Sequence, residues 1–379
     1  MNRSNYEIIE DFLNSDEGFE YVRQLKDVDH TYYSYKDWKV NKHHLECDIF
    51  THTMMVVNNA LQDNAPIELV IAGLFHDYGK CFTKELIDDK ERAMFKNHWN
   101  YSTIACIEYI KLDVFNLSRS QIIEVLRIIN NHHLIYQFNS SDNKKKTGRK
   151  VYEKFYKSES TLRKIVKFAE YDHYGRITDA PMEIAHDVYE EYIFSHFNTA
   201  EETKDKNIHA YKNLVIMNVG LPCSGKSTYT EDFVKHYEYT VHARDNIMRD
   251  YYIDNNHMIV KDGYMEVPSY NVIWDSVDHD AVNERCEELY REYITDAKNV
   301  IIDETNLSFK TRQKKFNKFP LKYGRVMHVF MTPLSVIKDR NTVRSRTTGK
   351  TIPENVYYNM LSSFQIPYDN EYDFINFIW

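Results

Sequence analysis

The chain has 379 residues, a formal net charge of −9, 42% hydrophobic residues and 28% charged residues. That length suits two ordinary domains, each able to bury a core, and the acidic balance speaks against a general nucleic-acid coat protein while leaving room for a local basic groove at strand ends. There is no apolar run of about 18 residues and no signal-peptide pattern, and Cys47, Cys81, Cys106, Cys223 and Cys286 form no C-x-x-C pair; free thiols, no membrane span and a reducing cytosol are the expectation.

In chain order, Tyr6 to Leu25 reads as two short amphipathic helices broken near Gly18. From His43 to about His196 apolar blocks recur with helical period at 49–61, 67–78, 101–112, 120–136, 160–173 and 182–197, with Pro66 suited to a helix start. Asp142 to Lys150, DNKKKTGRK, reads as a basic loop, and Thr199 to Asn207 is charged without a large apolar residue, as a linker would be. After it the period changes. Leu214–Val219, Asn299–Ile302 and Val326–Met331 read as buried strands, with a helix such as Ala281–Ala297 between them. The expected organisation is an all-α domain over 1–198, a linker over 199–210 and an α/β domain with a parallel sheet over 211–379.

Gly220 to Ser227, GLPCSGKS, fits G-x-x-x-x-G-K-[ST] between a predicted strand and a helix opening at Thr228. Backbone N–H groups of Gly220, Ser224, Gly225 and their neighbours can converge on a phosphate only where side chains are small; Lys226 adds charge for the β and γ phosphates of ATP, and the Ser227 hydroxyl is a ligand for Mg²⁺. Asp303 ends the strand Asn299–Ile302 at the carboxyl edge of the sheet, where it can hold the Mg²⁺ or its water. Asp245 follows another apolar-rich stretch to the same edge and can accept a proton from an attacking hydroxyl; the plainer alternative is a helix N-cap.

GLPCSGKST, RDNIMR, IIDETNL and RNTVRSRTTGKTIP, spread over Leu214 to Pro353, resemble the phage-type polynucleotide kinases. The resemblance implies that Asp245 is the general base for a 5′-hydroxyl and that an arginine near it reads the acceptor's 3′ phosphate. The family spacing for that arginine falls on Met248, with Arg249 one residue later. It also implies that Arg344, with Arg340 one turn before it, meets the transferring phosphate of ATP.

The second constellation is His52, the adjacent His76-Asp77 and the distant Asp172. Mixed N/O ligands of this kind hold a divalent ion that activates water, and the set admits Mn, Ni, Co, Fe, Zn or Mg. The pattern H…HD…D over His43 to Arg176 resembles the HD phosphohydrolases, and HHLECDIFTHT with HDYGK is similar to HD modules attached to RNA-processing enzymes. The order of His98, His132 and His133 matches binuclear members, which implies a second ion bridged by Asp77; one ion is the alternative. Lys80 and Arg176 are the cations expected to neutralise a phosphoester.

Joined in one chain, these features are similar to bacterial fusions of an HD phosphoesterase with a polynucleotide kinase. That resemblance implies healing of RNA or DNA ends, with 5′-OH phosphorylation by ATP, removal of 2′,3′-cyclic or 3′-phosphate groups, and a separate ligase as partner. Two cationic runs, Lys144 to Lys146 with Arg149 and Lys150, and Lys310, Arg312, Lys314, Lys315 and Lys318, are candidates to track the strand or are solvated faces. The rival readings are an HD nucleotidase fused to a small-metabolite kinase, and a non-catalytic nucleic-acid binding module.

Overall fold

The computed structural model describes residues 3–29, 32–34, 39–40, 44–87, 92–179, 184–199, 207–255, 259–261, 264–266, 268–348 and 350–379. Residues 200–206 of the expected linker therefore lie outside the described residues. The chain divides into two compact units, Met1–Thr203 with Leu361–Asn370, and Lys204–Met360 with Glu371–Trp379.

The first unit is helical. Its opening helices are Asn5–Leu13 and Asp16–Lys26, so the break falls at Asn14-Ser15 and not at Gly18. Ser15 accepts the Gly18 N–H and starts the second helix, and the bare Gly18 lets the Phe12 carbonyl come close. Ile49–Gln62 begins at Asp48, which accepts the Thr51 N–H, and buries His52, Val56, Val57 and Ala60 along one face. Ile67–Phe75 starts at Pro66 and is buried from Leu69 onward, as a central helix must be. Arg119–Asn131, with a Ser118–Gln121 capping box, and Glu159–Tyr174 pack against it. The expected block 120–136 is interrupted at His132, after which His133–Asn139 continues. Two short antiparallel ribbons, Tyr32–Ser34 with Lys39–Val40 and Lys84–Ile87 with Arg92–Phe95, lie among the helices.

The expected basic loop at 142–150 is instead most of a helix, Lys144–Phe155. Asn143 caps it, and Gly148, Val151 and Phe155 form its buried face despite the charge around them. Lys144 is spent on the carbonyls of Phe138, Asn139 and Ser141 at the end of the preceding helix. Segment 361–370 belongs to this unit: Ile366 donates its N–H to Asn130 Oδ1 (3.0 Å), Asn100 donates to the Ser362 carbonyl (2.6 Å), and Arg127 pairs with Asp369 (2.5 Å).

The second unit holds a parallel five-stranded sheet in the order Phe374–Ile378, Tyr323–Phe330, Asn213–Val219, Val300–Ile302, Thr240–His242. The central strand pairs Ile216 with Val326 on one side and Ile301 on the other, which is why it reads as an unbroken apolar run. Arg312 is wholly buried and grips Glu371 with two bonds of 2.7 and 2.8 Å, while Lys315 pairs with Glu304 and Lys318 with Glu287. Of the run from Lys310 to Lys318, Arg312 is thus used inside the fold and Lys315 and Lys318 in pairs nearer the surface, while Lys310 and Lys314 are exposed.

His328, on the strand Tyr323–Phe330, is buried among Tyr229 and Phe233, and its Nδ1 has no partner among the described residues. Burial pushes its imidazolium down to about 4. In the unfolded chain it titrates near 6.5, so below that pH the unfolded state takes up a proton that the folded state refuses. Stability falls with pH through this window, by about 2 kcal/mol at pH 5 for this group. Urea unfolding of His328→Phe should show a drop between pH 7 and pH 5 that is smaller by that amount; equal drops in variant and parent would reject the assignment.

Candidate metal centre and phosphate-binding loop

Four helical elements bring the first-unit residues together. His52 comes from Ile49–Gln62, His76 caps the end of Ile67–Phe75 with Asp77 next, His98 opens His98–Ala105, and Asp172 comes from Glu159–Tyr174. His132 sits at the interruption between two helices.

Nδ1 of each histidine meets a backbone carbonyl: His52 with Gly175 (2.9 Å), His76 with Gly73 (2.9 Å), His98 with Phe95 (2.9 Å) and His132 with Ile129 (2.8 Å). A carbonyl only accepts, so Nδ1 carries the proton and each Nε2 turns a lone pair inward. Nε2 of His52 and His76 face each other at 3.3 Å, as do those of His98 and His132. Lone pairs that close repel unless a cation lies between them.

Asp77 stands between the two pairs. Its Oδ2 is 3.4 Å from the Nε2 atoms of both His52 and His76, and its Oδ1 is 3.1 Å from His98 Nε2. Asp172 Oδ1 is 3.1 Å from His52 Nε2. Ligand atoms bound at ~2.0–2.2 Å to one ion lie roughly 3.0–3.6 Å apart, so this donor set fits divalent ions. Two donor groups share Asp77: His52, His76 and Asp77, and Asp77, His98 and His132.

Burial alone would raise the Asp77 carboxyl, but its charged surroundings, with the Lys80 ammonium at 2.6 Å, hold it well below the usual range. Asp172 is likewise held low against burial, with the Arg176 guanidinium foremost. Burial pushes His132 down to about 3, which keeps it a neutral donor. Lys80 Nζ is 2.6 Å from Asp77 Oδ2, and Arg176 donates to Asp172 Oδ1 (3.1 Å) and to the Tyr136 hydroxyl (2.5 Å), which itself donates to Asp172 Oδ2 (2.9 Å).

His133 is outside both donor groups. Its ring stacks on Trp99 at 4.0 Å, because as the first residue of its helix it projects away from the neighbouring His132. His44 was not singled out from the sequence. It reaches the site from outside the helices, with its Nδ1 held by Glu46 (2.7 Å), and clusters with Glu46 and His52. The signal was present in the HHLE stretch but hidden by the absence of helical period there. His44, Asp77, Lys80, His98, His132, His133, Tyr136, Asp172 and Arg176 line a cleft of about 160 Å³.

In the second unit the strand Asn213–Val219 runs into the loop at Gly220, and Lys226–His236 opens behind Gly225, whose φ is +96°. A Cβ at Gly220 would lie 2.9 Å from Ser224 Oγ and 3.0 Å from Phe330 Cβ, so a larger residue in this turn would have to displace those side chains. Lys226 is buried and folded onto the Gly220 and Leu221 carbonyls at 3.0 and 2.6 Å; burial pushes it down to about 8, which leaves it mostly charged at neutral pH.

Asp303 follows the adjacent strand and accepts a bond from Asn218 at 2.9 Å. The helix Leu334–Thr348 carries Arg340, which donates to the Cys223 carbonyl (3.3 Å), and Arg344 one turn later. Both arginines, Ser224 to Thr228 and an apolar wall including Phe330, Val336, Ile378 and Trp379 enclose about 1030 Å³, room for a nucleotide.

Asp245 is the second residue of the helix Arg244–Asp254, with Ala243 at the N-cap, so its carboxylate is not a cap. It pairs with Lys350 and accepts the Tyr270 hydroxyl at 3.1 Å. Met248 is buried in the core, whereas Arg249 is exposed and one turn from Asp245 on the same face. Neither Tyr270 nor Lys350 was a sequence candidate. Lys350 lay in the lid-like stretch GKTIP, and Tyr270 gave no signal because only folding brings its helix beside Asp245.

Residues 49–175 match the HD domain family and residues 215–367 match an AAA domain family. The chain joins an HD phosphohydrolase domain to a P-loop kinase domain. Among solved structures it is similar to a chain of the Pnkp1/Rnl/Hen1 RNA repair complex, at 20% identity and a TM-score of 0.31, over 45% of this chain and 52% of that one. It is also similar to a gluconokinase from Sinorhizobium meliloti 1021, at 15% identity and a TM-score of 0.29, over 44% of this chain and 83% of that one. The chain spans about half the length of the first of these. A search of curated proteins finds no match. Among the described residues no helix is long and apolar enough to cross a membrane.

Proposed function

We propose that the chain heals polynucleotide ends, phosphorylating a 5′-hydroxyl with ATP in the second unit and removing a 3′- or 2′,3′-cyclic phosphate in the first. The observation that carries the kinase half is the setting of Asp245. Its side chain is 49% exposed, with the cationic Arg244, Arg249 and Lys350 around it. An open acceptor side suits the end of a polymer, which a small-metabolite kinase would instead enclose.

In this reading Asp245 exchanges Lys350 for the 5′-hydroxyl and takes its proton as the O5′–phosphorus bond forms and the bond to the ADP oxygen breaks. Lys226, Arg340 and Arg344 balance charge on the transferring group, Ser227 and Asp303 would hold Mg²⁺, the loop amides from Gly225 to Thr228 cradle the phosphates (the Gly220 and Ser224 N–H groups being bonded to the Thr305 and Leu221 carbonyls), and Arg249 reads the acceptor's 3′ phosphate.

In the first unit His52, His76, Asp77 and Asp172 would hold one divalent ion, and Asp77, His98 and His132 a second. A bound ion supplies Lewis acidity toward a phosphoryl oxygen and toward water. Lys80 and Arg176 neutralise the phosphate. The cleft is small and opens to solvent, so a terminal phosphate can reach the donors while the rest of the strand stays outside. That suits a terminal phosphate on RNA or DNA, with a separate ligase to seal the healed ends.

One oligonucleotide with a 5′-OH and a 3′-phosphate, incubated with ATP and Mg, Mn, Ni, Co, Fe or Zn, tests both halves. Product with a 5′-phosphate and a 3′-hydroxyl is expected. Preference for a mononucleoside in direct competition would establish the rival metabolite kinase.

A further inference from the structure

We infer that Tyr270 and Trp274 form a stacking platform for the bases at the 5′ end of a single-stranded acceptor, beside Asp245. This rests on the kinase reading above and adds what makes that site select a polynucleotide.

The short helix Tyr270–Ser276 is anchored by Ile273, which is buried with Met248, Tyr252, Val282 and Cys286. Trp274 leaves that core and is 41% exposed. Tyr270 and Trp274 lie nearly parallel, 29° apart with centroids 6.0 Å from each other. The Tyr270 end touches the reactive position, because its hydroxyl donates to Asp245.

A cation lies over each ring, and Lys350 leaves Tyr270 when the 5′-hydroxyl takes its place on Asp245 in the kinase reading. Lys350 Nζ is 3.7 Å from the Tyr270 ring centroid, and the Arg244 guanidinium is 5.4 Å from that of Trp274. Arg244 is held in turn by His279 and Asn283, each at 3.2 Å, and the His279 ring packs against Trp274 at 4.5 Å.

Core packing accounts for Ile273 and much of Tyr270. It does not account for an indole turned outward and pinned by an arginine and a histidine. Two aligned rings leading from the base candidate, with positive charge along them, complement a single strand's bases and phosphates. Such stacking tolerates any base, as an end-healing kinase requires.

Trp274→Ala should raise the KM for a 5′-OH octanucleotide roughly 5- to 100-fold, the range of base–aromatic stacking, and leave kcat and the KM for ATP unchanged. Trp274→Phe should restore most of the affinity. A KM within twofold of the parent in Trp274→Ala overturns the platform.

If Trp274→Ala fails to fold, fluorescence of the parent and of Trp274→Phe, titrated with the octanucleotide without ATP, decides. Quenching confined to the parent supports the platform, and equal quenching overturns it. A parent that phosphorylates no 5′-OH oligonucleotide defeats the kinase reading itself, a result distinct from an unaffected variant.

Discussion

Asp77→Ala is expected to strip metal from the first unit and lower phosphate release about 10³-fold, while 5′-phosphorylation is unchanged. The effect should be large because one carboxylate serves both donor groups, with Oδ2 facing His52 and His76 and Oδ1 facing His98. Its loss leaves paired imidazole lone pairs with no shared anion. His98→Ala separates one-ion from two-ion chemistry. If two ions are needed, metal content and hydrolysis fall together; if one suffices, hydrolysis survives. Elemental analysis beside phosphate-release rates reads both variants. Full-rate hydrolysis by the parent after thorough chelation would sink the metal assignment.

Lys226→Ala should reduce transfer from ATP roughly 10²–10³-fold and leave phosphate release intact. Lys226 is buried and rests on the Gly220 and Leu221 carbonyls, so it is already held at the loop. Removing it leaves the loop without its buried charge. ATP affinity should weaken as well, because polyphosphate then enters a site with one cation fewer. The measurement is 5′-phosphorylation and 3′-phosphate release on the same preparations. Equal loss of both activities would reject independent chemistry in the two units.

The fold class was legible because the hydrophobic period changes near residue 207, from helical blocks to short apolar strands alternating with helices. The central strand Asn213–Val219 stood out because it is buried between two neighbours. Thr240–His242 showed in the sequence only as the apolar-rich stretch ahead of Asp245, and Phe374–Ile378 gave no strand signal because it is an edge strand with Asn376 interrupting its apolar run. The helix Lys144–Phe155 was hidden by its charges, since its buried face rests on Gly148, Val151 and Phe155 alone.

Residue chemistry by itself determined which donors exist: the H…HD…D series and the glycine-lysine-serine loop carry their types and spacings in the chain. Local geometry separates Arg249 from Met248, since a helix turn of 3.6 residues puts position 249 on the face of Asp245 and sends 248 into the core. Only the tertiary structure placed His132 with the candidate donors while His133 stacks on Trp99, brought His44 to the same cleft, and paired Arg312 with Glu371. It alone set Tyr270 and Lys350 on Asp245 and aligned Trp274 beside them. Sequence spacing constrains neighbours within one helix, whereas contacts across 25 or 105 positions are set by how separate elements pack.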